Sequence, residues 1–220
     1  MKKALHELNR LSWNTATVAH NSHKGDQAAS FHDGGSTLFR EERDALCARA
    51  LARDEVPLVW TIDRREIIEH LYVLRDGALH LVPEFYDVAG WPAGEADHYT
   101  PILLDCHDRG GWFLGMFDGA RLVAAVVVDS RPLGPRHDML QLKFLHVSRD
   151  WRGCGLGEQL YRAAHAQARA MGAERLYVSA TPSQRTIDFY LRLGFTVSTS
   201  PDPALYALEP EDIHLEGPTA

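Results

Sequence analysis

The stretch Leu142-Lys-Phe-Leu-His-Val-Ser-Arg-Asp-Trp-Arg-Gly-Cys-Gly-Leu-Gly157 reads as an apolar strand, a glycine-rich turn and the start of a helix. The strand side is Leu142 to Val147, and the turn holds Arg152, Gly153, Gly155 and Gly157. The helix continues through Glu158, Leu160, Tyr161 and Ala164. A strand that feeds a helix N-terminus through glycines gathers free backbone N–H groups at the positive end of the helix dipole, which suits a phosphate or diphosphate. The run Gly-x-x-x-x-Gly-Lys-Ser/Thr of a nucleotide P-loop is absent, and Gly153-x-Gly155-x-Gly157 matches the dinucleotide fingerprint Gly-x-Gly-x-x-Gly poorly.

The bulk properties narrow the function class. A chain of 220 residues with 45% hydrophobic content builds one domain plus an extension. A net charge of −7 without a Lys/Arg cluster argues against nucleic acid as partner. No apolar run has the length of a membrane span. The N-terminus Met1-Lys-Lys-Ala-Leu-His-Glu7 lacks an apolar signal core, so a cytoplasmic protein is expected. Cys47, Cys106 and Cys154 are spaced too widely for a disulfide framework or a zinc site, and His20, His23, His32 and Asp33 read as polar loop residues. No metal is expected.

Along the chain, residues 1–55 read as an extension, with a short amphipathic helix at Ala4 to Leu11, an irregular polar run, and helix formers from Glu41 to Ala52. From Val56 the pattern becomes α/β. Leu58, Val59 and Ile62 suggest a short strand. Asp63 with Glu66 has capping-box spacing, and Ile67, Ile68, Leu71 and Leu74 fit one face of a helix ending at Asp76-Gly77. Leu79 to Val82 look extended, Pro83 to His98 reads as a long loop, and residues 100–109 as a helix. Gly111 to Asp129 is a hairpin turning at Asp118-Gly119, with the apolar return strand central to a sheet. Met139 to Val147 is a strand, Gly155 to Met171 a helix closed by Gly172, and Leu176 to Ser179 a strand. A helix from Pro182 to Leu193 precedes Gly194, and Phe195 to Thr199 and Ala204 to Leu208 read as strands.

Three features then align in order: Arg152-x-x-Gly155-x-Gly157, the strand Arg175-Leu-Tyr-Val-Ser179, and Phe189-Tyr190-Leu-Arg-Leu-Gly194-Phe195. Together they resemble the GNAT acetyltransferases over about residues 56–210. The resemblance implies an α/β (α+β) GNAT fold, with a mixed, mostly antiparallel sheet splayed at the cofactor strand and flanked by helices. It divides the chain into an extension, 1–55, and an acetyltransferase domain, 56–220. It implies an acetyl-CoA-dependent N-acetyltransferase in which a primary amine attacks directly within a ternary complex.

By the same resemblance, Arg152, Gly153, Cys154, Gly155, Leu156 and Gly157 hold the diphosphate, with Cys154 in place of a basic residue. That substitution puts a thiol at the cofactor, open to modification and protected by acetyl-CoA. Leu145, His146 and Val147 offer backbone to the pantetheine arm, and Ser183 stands where many members carry an Asn. Tyr190 matches the general acid that protonates the departing thiolate. Gln141 stands where some members place a catalytic Glu; an amide cannot take the proton, which leaves it to bind substrate or orient water. Glu69 and His146 are the substitute bases, and Glu66 and Tyr86 join Gln141 as acceptor contacts. Phe85, Trp91 and Tyr99 either line an acceptor pocket or cover the sheet. The acidic first half suits a cationic amine, free or on a peptide.

Two other readings stay open: a non-catalytic acyl-CoA-binding module, favoured by Gln141, and a methyltransferase remnant. The second rests on Trp13-Asn14 and His20-Asn-Ser-His-Lys-Gly-Asp26, which resemble the lead segment of certain SAM-dependent methyltransferases, though no SAM loop follows. The extension is left with three roles: a pocket cap, a homodimer contact or a free arm.

Overall fold

The computed structural model describes residues 46–219. The amphipathic helix, the histidines and the methyltransferase-like run proposed for the N-terminus lie outside the described residues.

The central sheet has seven strands. In chain order they are β1 (Cys47–Ala50), β4 (Trp112–Asp118), β5 (Arg121–Leu133), β6 (Met139–Val147), β7 (Arg175–Ala180), β8 (Thr196–Val197) and β9 (Ile213–Pro218), and β2 (Glu66–Arg75) with β3 (Ala78–Val88) forms a separate hairpin. The spatial order is β1-β4-β5-β6-β7-β9-β8. Only β6 and β7 run parallel among the described strands. Helices α1 (Glu95–Asp108), α2 (Leu156–Ala170), α3 (Gln184–Arg192) and α4 (Pro203–Leu208) and 3₁₀ runs at Arg53–Thr61 and Arg149–Trp151 complete the elements of the described residues. The mixed, mostly antiparallel α/β sheet with flanking helices is the expected fold.

The sequence dictates the layering. Val123 to Val128 on β5 are fully buried, so this strand lies in the sheet's interior with apolar packing on both faces. Leu156, Leu160, Tyr161, Ala164 and Ala168 make one buried stripe on α2, which packs on Leu140, Leu142, Leu176 and Val178. The opposite face is covered by Val56, Val59 and Ile62 and by Leu103 and Cys106 of α1, packed on Phe113, Ala125, Val127 and Phe144.

Several expected elements differ. The helix expected over Ile67 to Leu74 is strand β2, because Asp76-Gly77 is a hairpin turn and not a helix stop. Asp76 and Gly77 have φ of 52° and 77°, and Arg75 faces Ala78 across them. Two central residues at positive φ make the hairpin turn that Asp-Gly favours, with a twist matched to the strands. Asp63 serves no helix; it accepts from the Arg65 backbone N–H at 3.0 Å and from its guanidinium. β3 and the first turn of α1 replace most of the loop expected at Pro83 to His98. Leu58 to Ile62 are 3₁₀ and cap where a strand was expected, and Ala204 to Leu208 lie in α4, started by the Asp202 side chain, which accepts from Ala204 N–H at 3.0 Å and Leu205 N–H at 3.1 Å. The central hairpin turns at Gly119-Ala120, one residue later than expected.

The domain also begins earlier than residue 56. β1 pairs with β4 from Cys47↔Phe117 to Ala50↔Leu114, so the end of the expected extension is an edge strand of the sheet.

Candidate active site

The parallel β6–β7 pairing consists of Met139↔Arg175, Leu140↔Leu176 and Gln141↔Tyr177. Beyond that rung the strands part, and Leu142 to Val147 have no partner on that side among the described residues. On its other side β6 stays paired with β5 through Ala124↔Val147. The opening is therefore a splay within the sheet.

The register fixes which backbone groups line it. Ser148 N–H donates to Val123 O at 2.8 Å, so these two are a hydrogen-bonded antiparallel pair. Hydrogen-bonded and non-bonded pairs alternate. Ala124↔Val147 and Val126↔Leu145 are then non-bonded pairs, and Leu145 and Val147 turn their N–H and C=O groups toward the opening. The Val147 carbonyl already accepts from Arg152 Nε at 2.9 Å. Leu145 N–H, Leu145 C=O and Val147 N–H remain for an extended ligand with amide groups. Backbone groups left dry and unpaired are costly, so the edge calls for a partner.

His146 belongs to the other register and is corrected on two counts. Its backbone faces β5, opposite Ala125, and not the opening. Its ring packs against Trp91 and Phe144, with centroids 4.8 and 4.6 Å away. Burial first, then Arg64 and Arg152, lowers its pKa to about 3, which makes it a poor proton acceptor.

At the end of β6 the chain makes the glycine turn. Gly153 and Gly155 have φ of 76° and 86°, and Gly155 is the N-cap of α2. A Cβ on either would meet no protein atom within 4 Å, so both face open space. Among the described residues no loop hydrogen bond is donated by the N–H groups of residues 153–155, and the first helical N–H groups lack intrahelical acceptors. Gly157 permits close packing, with the Phe189 ring 3.5 Å from where its Cβ would be. The cradle is built from backbone alone. Arg152 points away from it, donating to Val147 O, to Arg65 O at 3.1 Å and to Asp63 O at 3.2 Å. The Leu156 side chain is core.

Cys154 corrects an expectation. Its side chain is 5% exposed and its thiol donates to Trp151 O at 2.7 Å. A thiol reagent on the folded protein should therefore modify exposed Cys47 alone, with or without acetyl-CoA. Cys106 is buried, and that burial raises its pKa to about 12. Peptide mapping after labelling checks this; acetyl-CoA-protected labelling of Cys154 would contradict it.

Ser183 is likewise spent. It is 1% exposed, accepts from Thr186 N–H at 3.4 Å as N-cap of α3, and donates to Thr186 Oγ1 at 2.9 Å. Glu69 is exposed on β2, not on a helix, and lines a groove with Ser183, Gln184 and Arg185. Glu66 pairs with Arg152 at 3.7 Å and Arg185 at 3.5 Å. Tyr86 is 47% exposed on β3. Neither Glu66 nor Tyr86 is brought to Gln141, which is buried on the sheet and accepts from Lys143 Nζ at 2.8 Å. Trp91 covers the sheet, donating to Ile62 O at 2.8 Å.

Tyr190 is 7% exposed, with its ring 5.2 Å from both Phe189 and Phe195. Burial raises its pKa, so the phenol is protonated at neutral pH. Among the described residues its hydroxyl makes no hydrogen bond with a side chain or the backbone.

Two groups escaped the sequence reading. Tyr177 Oη lies 2.7 Å from His214 Nδ1, and Glu209 Oε1 accepts from Tyr99 Oη of α1 at 2.7 Å. Neither carries a local motif; each depends on contacts between segments far apart in the chain. Among the described residues no group of His, Cys, Asp and Glu has the arrangement of a metal site, and no helix is long and apolar enough to cross a membrane.

Comparison with known proteins agrees with this geometry. Residues 78–195 match the model of the acetyltransferase (GNAT) family. The amino-acid acetyltransferase of Ralstonia nicotianae is 37% identical over 68 residues, a match that spans 31% of this chain and 14% of that protein. Nourseothricin acetyltransferase superposes with a TM-score of 0.59 at 19% identity, over 80% of this chain and 99% of that one. A PaiA N-acetyltransferase from Thermoplasma acidophilum, solved with coenzyme A, gives 0.52 at 13% identity, over 79% and 98% of the two chains. A streptothricin acetyltransferase from Bacillus anthracis, solved with acetyl coenzyme A, gives 0.51 at 13% identity, over 78% and 94%. With a family match across more than half its length and a sheet that parts beside a glycine cradle, the chain belongs to the acetyltransferase (GNAT) family.

Proposed function

We propose that this protein transfers the acetyl group of acetyl-CoA to a primary amine. The observation that carries the proposal is the continuity of the open β6 edge with the glycine cradle at its end. One end suits a chain of amides, and the other suits a diphosphate. Leu145 and Val147 would hold the pantetheine amides, and the N–H groups of residues 153–157 the diphosphate.

The reaction needs the thioester carbonyl at the opening near the last β6–β7 rung. The neutral amine nitrogen attacks that carbon; the C–N bond forms and the C–S bond breaks. The Tyr190 phenol gives its proton to the departing thiolate, and the nitrogen loses a proton to solvent or a nearby base. From an ammonium acceptor the sum is amide, free thiol and one proton. A buried, protonated phenol with an uncommitted hydroxyl fits the donor role.

Tyr190→Phe should lower kcat by about 10²-fold or more, the usual worth of a placed acid, while leaving acetyl-CoA affinity within about threefold. Stopped-flow turnover with calorimetry reads both; unchanged kcat would remove Tyr190 from the mechanism. The experiment for the reaction as a whole is thiol release from acetyl-CoA across an amine panel. Amine-dependent release is expected. Acetyl-CoA binding with no release for any amine would favour the acyl-CoA-binding reading, to which Gln141 lends support.

A further inference from the structure

The last rung between β6 and β7 pairs Gln141 with Tyr177, and the strands part directly beyond it. Leu140 and Leu142 on β6, and Leu176 and Val178 on β7, pack on the α2 side of the sheet. Side chains alternate along a strand, so Gln141 points to the opposite face, the side of α1. Its neighbours agree. Lys143 Nζ donates to Gln141 Oε1 at 2.8 Å and lies 3.1 Å from Asp129 Oδ2. Asp129 in turn holds Arg109, the C-cap of α1, at 2.8 Å. A polar chain of Arg109, Asp129, Lys143 and Gln141 therefore ends at the rung where the splay begins.

This chain sets the direction of the Gln141 amide. An ammonium is a donor and nothing else, so the end of the amide that it meets is the oxygen. Asp129 holds the ammonium from a second side, and the –NH2 of Gln141 is turned away from Lys143. Among the described residues that –NH2 donates to no protein group, since the Lys143 contact is the one hydrogen bond of this side chain. Gln141 is 7% exposed, yet its Nε2 is not among the fully enclosed unpaired atoms, so it reaches open space. A nearly buried amide with unused donors calls for a partner, because donors withdrawn from water and left unpaired are costly. The ammonium behind Oε1 polarises the amide and strengthens what its N–H groups can donate.

We infer that Gln141, oriented by Lys143, donates to an oxygen of the acceptor, so that the substrate is an amine whose own carbon bears a carbonyl group. The inference rests on the acetyl-transfer reading above and names its substrate class. The glycine cradle lies at the N-terminus of α2, which puts the cofactor on that side and leaves the α1 face to the amine. The thioester of that reading lies near the last β6–β7 rung, so an oxygen held by Gln141 is a bond or two from the attacking nitrogen. Gln141 touches the substrate; Lys143 acts through it and is a positioning residue. With Oε1 committed to a cation, the amide takes no proton, and the amine must reach its neutral form without a base at this position. A neighbouring carbonyl provides for that as well: an α-amino group has a pKa of about 7.7–8.0, against about 10.4 for an alkylamine.

The test measures thiol release from acetyl-CoA on the full chain with matched amines, glycinamide against isobutylamine, which has two methyl groups where the amide has oxygen and nitrogen. Glycine and glycylglycine beside glycinamide tell a free carboxylate and a peptide N-terminus apart as sources of the carbonyl. The paired amines differ in basicity, so the quantity read is the change in their kcat/KM ratio from wild type to variant, in which basicity cancels. Gln141→Met keeps the side-chain length and loses the donors; it should lower the ratio of glycinamide to isobutylamine at least about tenfold, through KM more than kcat. Lys143→Met should lower it at least about threefold, and Lys143→Arg, which keeps a donor to Oε1, should hold it within about twofold of wild type. Thermal melts and acetyl-CoA calorimetry check that each variant is folded. An equal loss for both amines in Gln141→Met, or no loss, overturns the inference and leaves acetyl transfer standing. A ratio that Lys143→Met preserves overturns the positioning by Lys143. Thiol release confined to amines without a neighbouring carbonyl overturns the substrate class. No release with any amine of the panel overturns the transfer reading and this inference with it.

Discussion

Gly155→Val should raise the Kd for acetyl-CoA by at least about 100-fold, or about 2.8 kcal/mol, while the protein stays folded. Two effects combine at this residue. Its φ of 86° is a conformation in which a side chain costs about 1–2 kcal/mol. That cost comes out of a total stability of about 5–15 kcal/mol, so the fold survives. The larger effect is local. A Cβ at Gly155 meets no protein atom within 4 Å, so the isopropyl group enters the open space of the cradle, where the diphosphate would sit. Gly172 supplies the control. It has φ of 91°, an equally open Cβ direction, and lies past the other end of α2. Gly172→Val should carry a similar stability loss and bind acetyl-CoA as wild type does. Calorimetric titration of the two variants, with thermal melts, separates strain from blockage. Tight binding by Gly155→Val would remove the turn from the cofactor site.

Asp129→Ala is expected to cost about 3–5 kcal/mol in urea melts at pH 7, the largest stability loss anticipated for a single side chain here. Asp129 is 4% exposed on β5 and holds two cations, Arg109 Nη1 at 2.8 Å and Lys143 Nζ at 3.1 Å. It also accepts from Arg131 N–H at 3.0 Å. Its removal strands the Lys143 ammonium, whose side chain is only 13% exposed, on the sheet beside Gln141. Burial works to raise the Asp129 pKa, but the Arg109 hydrogen bonds, Lys143 and the Arg131 N–H outweigh it, so the folded value lies below the unfolded one. The group's contribution is then fully present above the unfolded pKa of about 3.9 and is lost as pH falls through the folded value. The stability gap between wild type and Asp129→Ala should therefore hold from neutral pH down to about 5 and narrow below about 4. A gap unchanged at pH 3 would mean that the pairing has no part in it.

The parts of this fold that sequence exposes are those set by local chemistry. Glycines at positive φ mark the turn at Gly153 and Gly155, a regular apolar stripe marks α2, and an unbroken apolar run marks β5. Where one local signal has two meanings, tertiary context decides. Asp76-Gly77 fits a helix end or a hairpin turn, and the pairing of β2 with β3 selects the second. His146 and Gln141 show why a motif cannot assign every site residue. Their positions along β6 are plain from sequence, but whether a backbone points to β5 or to the opening depends on the pairing register. The bulge between Val127 and Val128 belongs to that register too, and no local pattern announces it. Cys154 and Ser183 sit within recognisable segments, yet their side chains are consumed by Trp151 O and Thr186. The pairing of Tyr99 with Glu209 lacks any local pattern, since α1 and the β8–β9 connection meet only in the folded chain.

The most direct measurement is amide hydrogen–deuterium exchange on the wild-type protein with and without acetyl-CoA. Leu145 and Val147 N–H groups face the opening, and those of residues 153–157 face the cradle. Saturating acetyl-CoA should slow exchange at these amides, while His146, already paired with β5, changes little. Binding without protection of Leu145, Val147 and the glycine turn, or protection confined to the β2–β3 hairpin, would contradict the placement of acetyl-CoA in the splay.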